Sequence, residues 1–262
     1  MQPKPFISAL RRPLRIVDVS FALVVVTLFV AAHFGLTQEP AGGEAWHTTE
    51  LKWIHDVAKG LLLPLLALRF WLSVKGQNRE QGLRQRVMAA MAFCWIGDVA
   101  LTFPGDTAFL IGLVSFLSGH LMFLTAFRRM LRTGAPRSTK RARGIVMAVL
   151  FGLLVPIVSH LMKGAGGLAP AVAVYAAVIG TMAFFSWVLG KDPGVSTLRL
   201  GAAFFLVSDL ILALGKFGDG PIAHGHFWVM STYILAQTFL TLGFTAAAQK
   251  DASGWWMGGG EG

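Results

Sequence analysis

Eight apolar stretches, each close to the length an α-helix needs to cross a bilayer, follow one another along the chain with short connections between them. A hydrocarbon core about 30 Å thick takes roughly 20 helical residues to span. At that depth backbone polar groups must be satisfied within the segment itself, which favours helices. The stretches at 16–36, 51–72, 87–103, 108–130, 145–162, 168–189, 198–217 and 222–248 therefore predict an all-α membrane protein of eight transmembrane helices. No separate soluble domain remains. Residues 1–262 read as a single polytopic membrane domain, with a basic cytoplasmic lead-in over 1–15 and a Gly/Trp-containing cytoplasmic tail over 251–262. The first stretch follows Lys4, Arg11, Arg12 and Arg15 and so imitates a signal peptide, but its length suits a span better than a short cleavable core. Composition agrees, since 55% hydrophobic and 14% charged residues in 262 give more apolar surface than one soluble core would need.

The net charge of +10 would suggest nucleic acid if the cations formed one stripe or tail. They fall instead in the short connections, which is a topology signal. Lys4, Arg11, Arg12, Arg15, Arg69, Lys75, Arg79, Arg84, Arg86, Arg128, Arg129, Arg132, Arg137, Lys140, Arg141, Arg143, Lys191, Arg199 and Lys250 fall on one side, and only Lys52, Lys59, Lys163 and Lys216 on the other. This asymmetry predicts both termini in the cytoplasm and a plasma or bacterial inner membrane. Glu39, Glu44 and Glu50 suit an outer first loop. The Arg128–Arg143 run reads first as topogenic, with a lipid or partner site as the sharper alternative. Trp255 and Trp256 suit an interfacial anchor, and the lone Cys94 excludes an intrachain disulfide.

Within this apolar background two carboxyls stand out. Asp98 in WIGDVALTF and Asp209 in LVSDLILAL lie inside the third and seventh stretches. A carboxylate at bilayer depth costs about 2.5–3.5 kcal/mol on insertion scales, so each is a functional-site hypothesis by default. Each precedes a short loop with a Gly-Asp pair, Gly105-Asp106 and Gly218-Asp219. That echo predicts two parallel four-helix repeats. An outer-half polar cavity lined by the second, third, fourth, seventh and eighth helices is expected to hold both carboxyls. Lys52, Asp56 and Lys59 share one face of the second helix. Lys59 thus either pairs with Asp56 or snorkels, or meets a phosphate or carboxylate. His120 and Ser115 lie on the fourth helix. His226, Met230, Tyr233, Gln237 and Thr241 share a face of the eighth, where Tyr233 and Gln237 are either interhelical glue or substrate contacts. His33, His47, His55, His160 and His224 lie singly near outer ends or in loops and read as interfacial or satisfied residues. No metal-ligand spacing such as HExxH occurs, and no metal or other cofactor is implied. A serine hydrolase is disfavoured because Ser208 has no GxSxG turn. Paired intramembrane aspartates also suit a proton- or ion-coupled transporter, and Pro64 and Pro156 would then mark helix breaks, though not at corresponding positions of the two halves.

The ordered polar pattern resembles the YhhN-like lysoplasmalogenase family of integral membrane proteins. The matching pieces are AKGLLLPLLAL (Lys59, Pro64), WIGDVAL (Gly97, Asp98), FLSGHLMF (Gly119, His120), VYAAVIGTM (Tyr175, Met182), GAAFFLVSDLILAL (Gly201, Ser208, Asp209) and YILAQ (Tyr233, Gln237). The resemblance implies hydrolysis of the vinyl ether bond of lysoplasmalogen, giving a fatty aldehyde and glycerophosphoethanolamine or glycerophosphocholine. It implies a lysophospholipid substrate among membrane lipids, with Tyr175 and Ser208 joining the candidate binding residues. The chemistry suits two carboxyls: one acid protonates the carbon–carbon double bond, and one anion stabilises the oxocarbenium ion and activates water. Asp98 and Asp209 are the candidates for these two parts. Lys59 is the candidate for the lipid phosphate, and His120, Tyr233 and Gln237 for positioning the glycerol or the water. Nothing in the sequence fixes headgroup preference or oligomeric state.

Overall fold

A computed structural model describes residues 5–37, 49–76, 81–190 and 193–253. They form eight α-helices: α1 (Pro5–Thr37), α2 (Thr49–Val74), α3 (Gln81–Ala100), α4 (Asp106–Arg132), α5 (Lys140–Gly164), α6 (Ala169–Val188), α7 (Pro193–Phe217) and α8 (Gly225–Ser253). Each overlaps one apolar stretch of the sequence, although α1 and α3 begin well before theirs. Of the residues singled out above, Lys4, Glu39, Glu44, His47, Arg79, Lys191, Trp255 and Trp256 lie outside the described residues, as do the side chains of Arg11, Arg12, His33, Glu50, Lys52 and Lys250.

The chain is an all-α, multi-span membrane protein, and seven of the eight helices are long and apolar enough to cross a bilayer. The exception is α3, which at 20 residues carries Arg84 and Arg86 near its start and Asp98 near its end. The expectation of eight transmembrane helices is thus met by length and composition in seven. Pro64 and Pro156 sit inside continuous helices, so neither marks a break.

Two compact units divide the chain. The first comprises Met1–Gly76 and Met91–Phe116, the second Gln77–Ala90 and Leu117–Gly262. In the first, the Arg69 guanidinium donates to Asp18 Oδ1 at 2.6 Å and joins α2 to α1. Trp95 on α3 donates its indole N–H to the Gly60 carbonyl of α2 at 2.8 Å, beside Lys59. The outer face of α1 presents Ile16, Val19, Leu23, Val26 and Val30 as an exposed apolar stripe, a surface suited to hydrocarbon.

In the second unit α7 packs most extensively on α8. Two glycines permit this. A Cβ on Gly201 would lie 2.8 Å from the Leu240 backbone nitrogen, and one on Gly243 would lie 2.6 Å from Leu198 Cγ. Small residues that let backbones approach are the usual solution in a membrane, where no hydrophobic force drives helices together. By contrast α5 has little buried surface, with Ile145, Met147, Val149, Phe151, Leu153 and Val155 all exposed. Arg199 closes the C-terminal end of α6 by donating to the carbonyls of Leu189 and Gly190, the exchange expected of a cation at a helix C-terminus.

Candidate active site

Helices α4, α6, α7 and α8 of the second unit bring six of the singled-out residues into one region. At its centre is Asp209, on α7. Its Oδ2 accepts the Tyr175 hydroxyl at 2.6 Å and lies 2.9 Å from His120 Nε2. His120 Nε2 is also 3.0 Å from Tyr175 Oη. The three groups close a triangle drawn from α4, α6 and α7. Because the tyrosine hydroxyl donates to the carboxylate, its oxygen remains open to accept, and Nε2–H is the donor that satisfies both distances. His120 is fully buried, and the Asp209 side chain keeps 13% of its surface exposed.

Two donors on one carboxylate oxygen are what an anion needs at this depth. Hydrogen bonds to a charged group contribute about 1.5–3 kcal/mol each, which is enough for the pair to offset the insertion cost of about 2.5–3.5 kcal/mol. The cluster therefore holds Asp209 as an acceptor.

With Nε2 turned to the carboxylate, His120 Nδ1 is the nitrogen left over. It is buried and has no hydrogen-bond partner. A buried orphan of this type marks a place for a water, a ligand or a proton in transit. Phe205 packs edge-on to the imidazole with ring centroids 4.5 Å apart, and Tyr233 packs edge-on to Phe205 at 5.5 Å. The Phe205 ring thus lies between Tyr233 and His120. Gln237 donates from Nε2 to Tyr233 Oη at 3.3 Å along the same helix, and its Oε1 is a second buried orphan acceptor. Ser208 donates to the Val229 carbonyl of α8 at 3.0 Å. Its hydroxyl ties α7 to α8 one residue before Asp209.

The remaining two singled-out residues belong to the first unit. Asp98 on α3 and Lys59 on α2 are both buried, with 3% and 7% of their surface exposed. Of the alternatives open for Lys59, an ion pair with Asp56 is not among the salt bridges of the described residues. Asp56 Oδ1 instead lies 3.2 Å from Nδ1 of the buried His55. That contact accounts for His55 as a satisfied residue. His160 similarly meets Asp219 at 3.3 Å in an exposed position. Among the described residues no three His, Cys, Asp or Glu side chains converge on a common point where a metal would sit.

Sequence reasoning passed over Phe205, the ring between His120 and Tyr233, and reached Tyr175 only through the family pattern. A signal for Tyr175 was present. The chain has 20 phenylalanines and only 2 tyrosines, and both tyrosines, Tyr175 and Tyr233, lie in this region. Where Phe fills apolar space so freely, a retained hydroxyl has a polar task.

A model of the YhhN family matches residues 54–244, which include every residue of this region. Among curated proteins the chain is 29% identical to lysoplasmalogenase TMEM86A of Homo sapiens over 212 residues, covering 78% of this chain and 80% of the relative. It is 28% identical to human lysoplasmalogenase TMEM86B over 196 residues, covering 74% and 76%. A lysoplasmalogenase of Mycobacterium bovis is 32% identical over 165 residues, covering 62% of this chain and 60% of the relative. No solved structure matches the chain significantly.

Proposed function

The chain belongs to the YhhN family, and from that membership together with the Asp209 cluster we propose that it is a membrane-embedded hydrolase cleaving the vinyl ether bond of lysoplasmalogen. The products are a fatty aldehyde and glycerophosphoethanolamine or glycerophosphocholine. The observation that carries this reading is the carboxylate–imidazole–phenol triangle of Asp209, His120 and Tyr175 inside apolar helices.

Hydrolysis of a vinyl ether begins with a proton delivered to the carbon β to oxygen, leaving an oxocarbenium ion. Water then adds to the cationic carbon and loses a proton, and the resulting hemiacetal breaks to aldehyde and alcohol. Protonated His120, held through Nε2 by Asp209, presents Nδ1–H as the acid. Once neutral, the same nitrogen takes the proton from the attacking water, so that the catalyst is regenerated within one turnover. Asp209 is the anion of the expected carboxyl pair. It stabilises both the imidazolium and the developing oxocarbenium charge. Tyr175 fixes the carboxylate oxygen that orients the imidazole. This reading moves the proton-carrying role from a carboxyl to the histidine.

Asp98 is the second essential carboxyl in this proposal, supported by its burial and its place in the Gly97-Asp98 motif. Lys59 is the contact for the headgroup phosphate, supported by a buried ammonium in a span with no carboxylate pair among the described salt bridges. Ser208, Tyr233 and Gln237 shape the binding region, Ser208 through its tie to α8 and Gln237 through the open Oε1.

For the topology we propose that α3 completes eight spans, with both termini cytoplasmic and two parallel four-helix repeats, in a bacterial inner membrane. The distribution of Lys and Arg and the matching Gly-Asp loops after Asp98 and Asp209 support this.

The test is purified protein in detergent with 1-alkenyl lysophosphatidylethanolamine in D2O. Aldehyde carrying one deuterium on the carbon next to the carbonyl is expected, and the saturated 1-alkyl ether should not react. Absence of aldehyde, or equal cleavage of the saturated ether, would overturn the assignment.

A further inference from the structure

Pro64 lies inside the continuous helix α2 and has no N–H to give. The Gly60 carbonyl, four residues earlier, therefore lacks the donor that an α-helix would supply. In water a solvent molecule would fill that place, but Gly60 lies about 10 Å inside the Trp53–Val74 span, where a neighbouring helix has to provide the group. The group is the indole of Trp95, whose N–H donates from α3 to the Gly60 oxygen at 2.8 Å. Burial does not account for an indole here, since Trp95 is 41% exposed and its exposed neighbours Phe93 and Ile96 are purely apolar. Tryptophan more often collects at the membrane surface, so an indole at this depth has its N–H to explain it.

The bond stands beside two buried ionisable groups of the first unit. Lys59 immediately precedes Gly60, and Asp98 follows Trp95 by three residues, close to one turn of α3; both side chains are buried. One hydrogen bond thus sets the Lys59 turn of α2 against the Asp98 turn of α3. Without it the Gly60 carbonyl turns toward another donor, and the Lys59–Gly60 backbone moves with it.

We propose that Trp95 is a positioning residue for the headgroup end of the site: its indole takes the place of the donor that Pro64 removes, and so holds the Lys59 ammonium where it meets the lysolipid phosphate. The inference rests on the reading of Lys59 as the phosphate contact. Trp95 itself touches no substrate in this arrangement and acts through the backbone of α2.

The experiment is a double-mutant cycle, because Pro64→Ala restores an N–H that can donate to Gly60 and makes the indole dispensable. Trp95→Phe is made in the parent and in the Pro64→Ala background, and Pro64→Leu, which restores the same N–H, serves as a second background. KM and kcat are measured on the purified full chain in detergent with 1-alkenyl lysophosphatidylethanolamine and with 1-alkenyl glycerol, which lacks the phosphate. Unfolding temperatures are taken on the same preparations. In the parent, Trp95→Phe is expected to lower the unfolding temperature and to raise KM for the phosphate-bearing substrate about fivefold, the loss of one hydrogen bond. Its kcat, and its KM for 1-alkenyl glycerol, should stay within about twofold of the parent. In either Pro64 background the same change should alter KM by less than about twofold. Equal effects of Trp95→Phe with and without Pro64 would overturn the replacement of one donor by the other. Coupling confined to the unfolding temperature, with KM unchanged, would make Trp95 a purely structural tie and overturn the positioning. Lys59→Met raising KM equally for both substrates, beside an intact coupling of Trp95 to Pro64, would uphold the donor replacement and overturn the phosphate reading of Lys59 alone.

Discussion

Replacing Tyr175 by Phe removes one oxygen and keeps the ring, so it isolates the hydrogen bond that holds Asp209. The bond lost is the 2.6 Å donation to Asp209 Oδ2. A hydrogen bond to a charged group contributes about 1.5–3 kcal/mol. If that contribution is realised in the transition state, where Asp209 faces both the imidazolium and the oxocarbenium ion, kcat falls about 10- to 150-fold at 1.36 kcal/mol per decade. KM should change little, because the phenol acts through the carboxylate. Tyr233→Phe is the matched control. Tyr233 Oη accepts a long, neutral hydrogen bond of 3.3 Å from Gln237, and a bond of that kind contributes about 0.5–1.5 kcal/mol, a loss at the low end of the Tyr175 range or below it. Both variants and the parent are assayed for aldehyde release from 1-alkenyl lysophosphatidylethanolamine in one detergent, with thermal unfolding measured on the same preparations. Tyr175→Phe turning over within about twofold of wild type, or Tyr233→Phe losing as much as Tyr175→Phe, would refute the reasoning that the triangle holds the working anion.

Other perturbations address the remaining parts of the site. Asp209→Asn and Asp98→Asn keep shape but remove the negative charge, and each should lower turnover at least ~10²-fold in folded protein; near-wild-type rates in both would remove the carboxyls from the mechanism. His120→Asn removes the proton-carrying Nδ1 while leaving a polar group against Asp209, and abolished deuterium transfer in folded protein is the expected readout. Lys59→Met should chiefly raise KM for phosphate-bearing substrate, with a smaller effect on an analogue lacking the phosphate; equal effects on both, with a lowered unfolding temperature, would make Lys59 a structural residue. Gly243→Val drives methyl groups into Leu198 and should destabilise by about 1–3 kcal/mol as overpacking, read as a fall in unfolding temperature, so an unchanged value would count against the close approach of α7 and α8.

The helices were legible because one physical length governs them. Hydrocarbon thickness sets how long an apolar stretch must be, and all eight helices fall where the hydropathy and charge pattern puts them. The exception was also written in the sequence: Arg84, Arg86 and Asp98 within twenty residues make α3 the least apolar helix, although it is as regular as the rest. The cluster around Asp209 was legible by halves. Asp209 and His120 announce themselves as ionisable groups at bilayer depth, Tyr175 is marked only by the rarity of tyrosine in the chain, and Phe205 looks like one more aromatic residue among many. Partners were least legible. Spacing placed Asp56 on the Lys59 face, yet its carboxylate meets the adjacent His55. Ser208, a candidate binding residue, spends its hydroxyl on the Val229 carbonyl of α8. In the Ser208 case the deciding quantity is the distance between two helix axes, and that distance follows from side chains that are absent. Gly201 and Gly243 bring α7 against α8 closely enough for a serine hydroxyl to cross the gap. A glycine's effect on a neighbour's hydrogen bond is a property of the packed pair, so a reading of one helix at a time cannot contain it.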